Sequence, residues 1–169
     1  MKLINIGVAG CLGRMGKELV SQAKSDRRVK FIGGFDLKDN KTASKNIFNM
    51  ANVIIDFSSP SAVKNNLDLA ITYKTALVIG TTGLNEKEIK KLRNASKKIP
   101  ILMSSNMSLG VNLLFNLVQQ TATILKDSDY DIEIAETHHK HKKDAPSGTA
   151  LSLGEYAAKG RKINFKKVK

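Results

Sequence analysis

In the first part of the chain, hydrophobic residues fall into short runs that end in glycine, serine or other turn-forming residues. Such runs are typical of strands whose two faces are both buried, as in a parallel sheet. Longer segments with apolar residues at helical spacing separate them, so we predict strands and helices in alternation. The predicted strands cover residues 3–9, 30–35, 53–57, 76–79 and 101–103.

The segments between these strands carry helix signals. Met15 begins an amphipathic helix, and Pro60 opens another, because the fixed φ of proline suits the first helical turn. Residues 85–97 form a lysine-rich surface helix. This alternation predicts an α/β fold with a doubly wound parallel sheet of Rossmann type. The inward face of the helix that begins at Pro60 should consist of Ala62, Leu67, Ala70 and Ile71.

A long helix is predicted over residues 111–125, after the last strand of the sheet. Gly110 precedes it and supplies the residue without a Cβ that a tight turn can need. We expect one domain over residues 1–108 and the start of a smaller α+β domain over residues 109–169. One face of the long helix carries Leu114, Leu117, Val118 and Leu125.

Gly10, Gly13 and Gly16 recur at every third position between the first strand and the first helix. A strand, a glycine-rich turn and a helix suit a dinucleotide pyrophosphate, because missing Cβ atoms let the backbone approach and the helix supplies N–H groups. The spacing differs from the commoner G-x-G-x-x-G, and glycines also serve tight packing. The candidate cofactor contacts are Gly10, Cys11, Leu12, Gly13, Arg14 and Met15.

Further candidate cofactor residues follow the other strands. Asp36 ends the second strand, where an acid can accept hydrogen bonds from the adenosine ribose, and Lys38 can offset a 2′-phosphate, so NADH and NADPH both remain open. Gly80, Thr81 and Thr82 form a turn suited to the nicotinamide ribose. The carboxyl ends of parallel strands meet at one edge, so we expect these loops there. The loop after the last strand adds Ser104, Ser105, Asn106 and Met107.

Residues 133–150 contain all three histidines of the chain, followed by Pro-Ser-Gly-Thr. The alternation in residues 131–135 predicts a strand, and the proline and glycine predict a turn into a helix that starts near Ser147. The N–H groups at a helix start suit Ser147, Gly148 and Thr149 to hold a carboxylate or phosphate. Titratable groups beside an anion site indicate catalysis; a solvated basic loop with a capped helix is the alternative.

Composition narrows the class of protein. The 169 residues carry a formal net charge of +13, with hydrophobic and charged fractions of 41% and 25%, as in ordinary globular proteins. The lysines are scattered and aromatic residues are few, which disfavours a nucleic-acid interface and fits anionic small molecules. No apolar run is long enough to span a membrane. A single cysteine, Cys11, fits a reducing cytoplasm, where we expect the protein.

The chain also resembles a known family. The signature E-x-H-H-x-x-K-x-D-A-P-S-G-T-A of the dihydrodipicolinate reductases is matched by Glu136, His138, His139, Lys142 and residues 144–150. The family's G-R-M-G, D-F-[ST]-x-P, G-T-T-G and N-x-S-x-G-V-N elements are present as well. The resemblance extends from residue 3 to about residue 160.

This resemblance implies reduction of 4-hydroxy-tetrahydrodipicolinate to tetrahydrodipicolinate, with hydride from NADH or NADPH, in the diaminopimelate route of lysine biosynthesis. We assign proton transfer to His138, because imidazole titrates near neutrality, and proton donation to Lys142, acidified by neighbouring positive charge. His139, Gly148 and Thr149 would bind the carboxylates of a small dicarboxylate substrate, and no metal is expected.

Members of the family continue past the point where this sequence ends, through strands that complete the substrate domain and form a homotetramer interface. We therefore expect a fragment or a shortened form, in which tetramer formation is doubtful. The alternative function is a catalytically incomplete dinucleotide-binding fragment or sensor. Zinc binding by His138, His139 and His141 is disfavoured, because adjacent histidines point in different directions and no cysteine or well-spaced acid completes a tetrahedral set.

Overall fold

The computed structural model describes residues 3–36, 41–138, 140 and 145–165. The chain divides into two compact units, Met1–Ser104 and Ser105–Lys169. The sequence places the boundary slightly later, at residue 108. None of the helices among the described residues has the length and apolar character needed to cross a bilayer.

The first unit is built on a parallel sheet with the strand order β2-β1-β3-β4-β5. Every pair of neighbouring strands is parallel. The predicted doubly wound α/β sheet is therefore confirmed, and each predicted strand lies within about one residue of the observed one. The strands are β1 (Ile4–Ala9), β2 (Val29–Phe35), β3 (Val53–Asp56), β4 (Ala76–Ile79) and β5 (Ile101–Met103).

Four helices connect these strands: α1 (Arg14–Ser25), α2 (Lys41–Met50), α3 (Pro60–Tyr73) and α4 (Glu86–Ala95). The N-terminus of α4 is closed by a capping box, in which Asn85 and Glu88 each bond the other's backbone N–H. Helix α3 begins at Pro60 as predicted, and its predicted inward residues Ala62, Leu67 and Ala70 are buried.

Helix α2 is not among the predicted elements. Its sequence, KTASKNIFNM, has little apolar content, so hydrophobic periodicity gives a weak signal there. Two of its residues nevertheless enter the core, because Phe48 is fully buried and Ile47 nearly so. The Thr75 hydroxyl also donates to the Phe48 carbonyl at 2.9 Å, which ties the end of α2 to the amino end of β4. Tertiary burial therefore stabilises a helix that local sequence alone does not indicate.

The second unit contains α5 (Leu109–Ile124) and α6 (Gly148–Arg161), which pack against each other. Phe115 stacks on Tyr156 with ring centroids 5.1 Å apart. The face of α5 that packs on α6 carries Phe115 and Ala122, which are 4% and 3% exposed, whereas Leu114 and Leu117 on the predicted apolar face are 45% and 50% exposed. The buried residues of α6 are glycines and alanines. Because these small residues permit close approach, they decide which face of α5 packs on α6.

The strand predicted over residues 131–135 is absent from the structure, where residues 131–138 lie outside any helix or strand. Ile132 and Ile134 are 40% and 42% exposed. A strand needs a neighbouring strand to accept and donate its ladder hydrogen bonds, and the described part of the second unit contains none. Alternation of side chains therefore did not suffice to form a strand here.

The prediction that Gly110 serves a tight turn is wrong, because Gly110 lies in the first turn of α5. A Cβ added there would have only the Ser108 hydroxyl nearby, at 3.9 Å. Gly160 of α6 differs, since an added Cβ would lie 2.4 Å from the Gln119 carbonyl oxygen and 2.9 Å from the Ala122 Cβ. The lack of a side chain at Gly160 is what lets the two helices approach.

These two glycines form a matched pair for a stability test. Gly110→Ala should stabilise the chain by about 0.5–1 kcal/mol, because alanine loses less backbone entropy in a helix. Gly160→Ala should destabilise it by about 1–3 kcal/mol through overpacking. Urea unfolding of both variants checks this, and equal effects of the two substitutions would contradict the packing described for α5 and α6.

Candidate functional site

The loop after β1 is held between the end of β2 and the turn after β3. The N–H groups of Gly10 and Cys11 donate to the Phe35 carbonyl at 2.9 and 3.4 Å. Gly10 has a φ of +78°, and a Cβ added there would lie 2.5 Å from the Phe57 carbonyl oxygen. Glycine is therefore required at this position by both its backbone conformation and its close contact.

The other two glycines of this loop have different roles. A Cβ added at Gly16 would lie 2.0 Å from the Gly10 carbonyl oxygen, so only glycine lets α1 pack on the loop. Gly13 is the N-cap of α1 and has no positive φ; a Cβ there would lie 3.3 Å from the same oxygen, which is tight but not excluded. The packing of the chain does not require glycine at position 13. The missing side chain leaves the N–H groups at the start of α1 accessible to an anionic ligand.

The acid at the end of β2 contacts the glycine loop directly. The Asp36 carboxylate accepts a hydrogen bond from the Leu12 backbone N–H at 3.2 Å. The glycine loop and Asp36, which the sequence assigned separately to a dinucleotide site, are thus joined by a hydrogen bond. Lys38 lies outside the described residues, whereas Lys45 of α2, which sequence reasoning missed, lines a cavity with Asp36. This cavity has a volume of about 480 Å³, and its walls include Gly10, Phe35, Asp36, Lys45, Ser58 and Asn66.

The remaining predicted residues of the loop, Leu12, Arg14 and Met15, are exposed, and Cys11 is half-buried. Leu12 and Met15 are 62% and 51% exposed although both are large and apolar. Their backbone forms the turn and the start of α1, so their contribution to a ligand site would come mainly through main-chain groups.

The turn after β4 is organised by a buried threonine. Thr81 is 8% exposed, its hydroxyl donates to Asp56 Oδ1 at 3.1 Å, and it accepts from the Ser58 N–H at 3.0 Å. Thr81 therefore uses its hydroxyl to hold the turn in place, while Thr82 is exposed. Gly80 packs against Phe57, since an added Cβ would lie 2.1 Å from that ring.

The loop after β5 divides between the two units. The Ser104 N–H donates to the Ile79 carbonyl at 3.2 Å within the first unit. Ser105 and Asn106 belong to the second unit, where the Ser105 hydroxyl lies 3.1 Å from that of Ser152 and Asn106 Nδ2 donates to the Thr149 hydroxyl at 3.3 Å. Met107 is 40% exposed. Ser105 and Asn106 thus contact α6, on which two of the predicted substrate ligands lie; their role toward a cofactor stays a prediction.

Glu136 joins the histidine segment to the start of α6. Its Oε1 accepts from the Ser147 N–H at 2.7 Å, and its Oε2 accepts from the Ser147 hydroxyl. His138 Nδ1 lies 3.5 Å from the same Oε2. The Ser147 hydroxyl in turn accepts from the Ala150 N–H at 3.0 Å, which caps α6. Glu136 is a functional candidate that sequence reasoning left without a role, although it is part of the family signature.

This arrangement changes the predicted anion site. The first N–H group at the start of α6, that of Ser147, is already bonded to the chain's own carboxylate, so an external anion would meet the N–H groups of Gly148 and Thr149. His138 is 40% exposed, and an acid beside its Nδ1 favours the tautomer that leaves Nε2 to exchange protons. His139, His141 and Lys142 lie outside the described residues, so their predicted roles stay untested.

A parallel sheet with a glycine loop and an acid after β2 defines the first unit as a dinucleotide-binding domain. The family model for the N-terminus of dihydrodipicolinate reductase matches residues 4–107, and the model for its C-terminus matches residues 110–169. The chain therefore belongs to the dihydrodipicolinate reductase family, as the resemblance in its motifs implies.

Curated relatives agree with this assignment. A 4-hydroxy-tetrahydrodipicolinate reductase of Zymomonas mobilis is 46% identical over 94% of this chain and 63% of its own length. One from Rickettsia akari is 44% identical over 96% of this chain and 66% of its own length. The chain thus spans about two thirds of the length of these relatives. The solved structure of a dipicolinate-bound dihydrodipicolinate reductase from Paenisporosarcina has the same fold, with a TM-score of 0.76 at 24% identity, covering 95% of this chain and 67% of that one.

The different roles of Gly13 and Gly16 can be separated by mutation. Gly13→Asp should raise the NADH dissociation constant by at least about tenfold while the protein stays folded, because the added carboxylate repels a pyrophosphate and fills the approach to α1. Gly16→Ala should lower the melting temperature, because its Cβ overlaps the Gly10 carbonyl. Calorimetric titration and circular dichroism measure the two effects. An unchanged NADH affinity in folded Gly13→Asp would contradict the site.

Glu136→Gln tests the link between the histidine and α6. The amide cannot accept at both positions, so we expect a loss of about 1 kcal/mol of stability and a smaller fraction of His138 with its proton on Nδ1. Nitrogen NMR of the imidazole reads the tautomer directly. Glu133→Gln, at an exposed acid of the same segment, is the control. The same tautomer shift in both variants would show that overall charge, not the Glu136 contact, controls His138.

Proposed function

We propose that this chain binds a reduced nicotinamide dinucleotide through its first unit and that its second unit serves the reduction of 4-hydroxy-tetrahydrodipicolinate to tetrahydrodipicolinate. The hydrogen bond from the Leu12 N–H to the Asp36 carboxylate is the observation that carries the proposal. It brings a pyrophosphate-type loop and a ribose-type acid to one edge of the sheet. The curated relatives bear the name of this reductase activity, which supports the assignment.

The residues of the first unit fit a dinucleotide. Gly13 and the first turn of α1 would hold the pyrophosphate, and Asp36 would accept from the adenosine ribose in the cavity of about 480 Å³. Asp36 favours a free 2′-hydroxyl, whereas Lys45 supplies a cation to the same cavity that can offset a 2′-phosphate. We therefore infer that both NADH and NADPH bind, with Lys38 as a further cation.

The residues of the second unit suit a small dicarboxylate. The N–H groups of Gly148 and Thr149 at the start of α6 would bind one carboxylate, with His139 as a further contact. Asn106 donates to the Thr149 hydroxyl and so holds that side chain in place. The chain as a whole carries a formal net charge of +13, which favours a dianion.

Conversion of the 4-hydroxy substrate to tetrahydrodipicolinate consumes a hydride and a proton and releases the hydroxyl group as water. When bound, the nicotinamide would supply the hydride to an unsaturated carbon. Residues of this chain would then transfer the accompanying proton. Glu136 Oε2 lies 3.5 Å from His138 Nδ1, which would leave Nε2 to give or take a proton, and Lys142 is the second candidate donor.

A second candidate function is dinucleotide binding without turnover. The features that suit a dinucleotide lie within the first unit, which supports this function. Binding of NADH without any oxidation of NADH in the presence of substrate would distinguish this function from the reductase.

Steady-state kinetics of the full chain test the proposal. His138→Ala should lower kcat by about 10² to 10⁴ and leave the NADH dissociation constant nearly unchanged, because a positioned acid or base contributes that much. Thr149→Ala should act mainly on KM. Oxidation of NADH followed by absorbance, with cofactor binding measured separately, gives both quantities. Full kcat in His138→Ala would remove His138 from proton transfer.

A further inference from the structure

We propose that Asp56, the last residue of β3, is a positioning residue that holds one wall of the cofactor cavity. The inference rests on the proposed function, because it assigns a role toward the dinucleotide site. Asp56 is 0% exposed. An acid in such a position is costly to desolvate unless several donors satisfy it, so its partners indicate what it does.

Both carboxylate oxygens of Asp56 accept hydrogen bonds. Oδ1 accepts from the Ser58 N–H at 3.0 Å, from the Ser58 hydroxyl at 2.5 Å and from the Thr81 hydroxyl at 3.1 Å. Oδ2 accepts from the Asn66 amide at 2.8 Å. One buried side chain therefore connects the turn after β3, the turn after β4 and the middle of α3.

Two of these partners belong to the cofactor cavity itself. Ser58 and Asn66 line the cavity of about 480 Å³ together with Gly10 and Asp36. Asn66 is 6% exposed, so its amide position is set by its buried contact with Asp56 and not by solvent. Loss of the Asp56 acceptors would release both side chains from the wall.

The turn that Asp56 holds is also the surface on which two glycines pack. Gly10 of the loop after β1 contacts the Phe57 carbonyl and the Ser58 Cα, and Gly80 of the turn after β4 contacts the Phe57 ring. Any shift of residues 57–58 would therefore move the glycine loop. Asp56 thus acts on the site through the backbone of three loops, without contact to the ligand.

The short side chain of Asp56 suits this role because its two oxygens accept hydrogen bonds from different segments of the chain. Alanine at Asp56 would leave the buried Asn66 amide without its acceptor, at a cost of about 1–3 kcal/mol, and would leave the Ser58 N–H with the Thr81 hydroxyl in place of two acceptors. Asparagine at position 56 keeps one oxygen, which can accept from the three donors that now bond Oδ1. Its NH₂ group replaces Oδ2, and Asn66 can turn its amide so that its own oxygen accepts from that NH₂ group. The hydrogen-bonding geometry, and not the charge, is what the wall needs.

Asp56→Ala, Asp56→Asn and the control Thr75→Val should separate positioning from general stability. Thr75 is 1% exposed, and its hydroxyl donates to the Phe48 carbonyl at the amino end of β4, the end opposite Thr81. Loss of this hydroxyl should destabilise the same unit without removing a residue of the cavity wall. We expect Asp56→Ala to raise the NADH dissociation constant at least about tenfold, and the other two variants to stay within about threefold of wild type. Melting temperatures of all three are measured in parallel, together with hydrogen exchange of the Ser58 amide, which should accelerate only in Asp56→Ala.

Three results would overturn the inference. Wild-type NADH affinity in folded Asp56→Ala would show that the wall does not depend on Asp56. Equal loss of affinity in Thr75→Val would show an effect of stability alone, and equal loss in Asp56→Asn would refute the hydrogen-bond account. These outcomes leave the proposed function intact if the wild-type chain binds NADH. A wild-type chain that binds neither NADH nor NADPH overturns both.

Discussion

The first unit depends on the close approach of backbone to backbone at the carboxyl edge of its sheet. The start of α1 packs on the loop after β1 because Gly16 has no Cβ, and that loop packs on the turn after β3 because Gly10 has none. Two hydrogen bonds to the Phe35 carbonyl add the end of β2 to this arrangement. The strand ends are thereby held close enough for one ligand to contact several loops, which is what an extended dinucleotide requires.

A carboxylate plays the organising role in each unit. In the first, Asp56 is buried at the end of β3 and receives donors from two loops and a helix. In the second, Glu136 receives the Ser147 N–H and hydroxyl at the start of α6 and lies beside His138. Both acids bond groups that come from other segments of the chain, and each fixes the geometry of neighbouring residues that the proposed chemistry uses.

Local sequence patterns were sufficient to predict some elements of the structure and not others. Apolar runs predicted all five strands of the sheet, because each strand carries consecutive apolar residues bounded by turn-forming ones. Helix α2 was missed, since its described side chains reach the core only at Ile47 and Phe48. The alternation in residues 131–135 predicted a strand that did not form, because pairing requires a second strand that the described residues of this unit do not supply.

The sequence by itself determined the family, the parallel sheet and the loops that carry candidate chemistry, because glycine spacing, apolar runs and the histidine signature are local properties of the chain. It also named Asp36 and His138 as candidate site residues, and their roles toward a ligand stay predictions. Only the tertiary structure decided which groups meet: Asp36 with the Leu12 N–H, Glu136 with Ser147, and Asp56 with Asn66. Each of these contacts joins residues that are distant in sequence, and hydrogen-bond partners and packed faces of that kind are set by the three-dimensional arrangement of the chain and leave no local pattern.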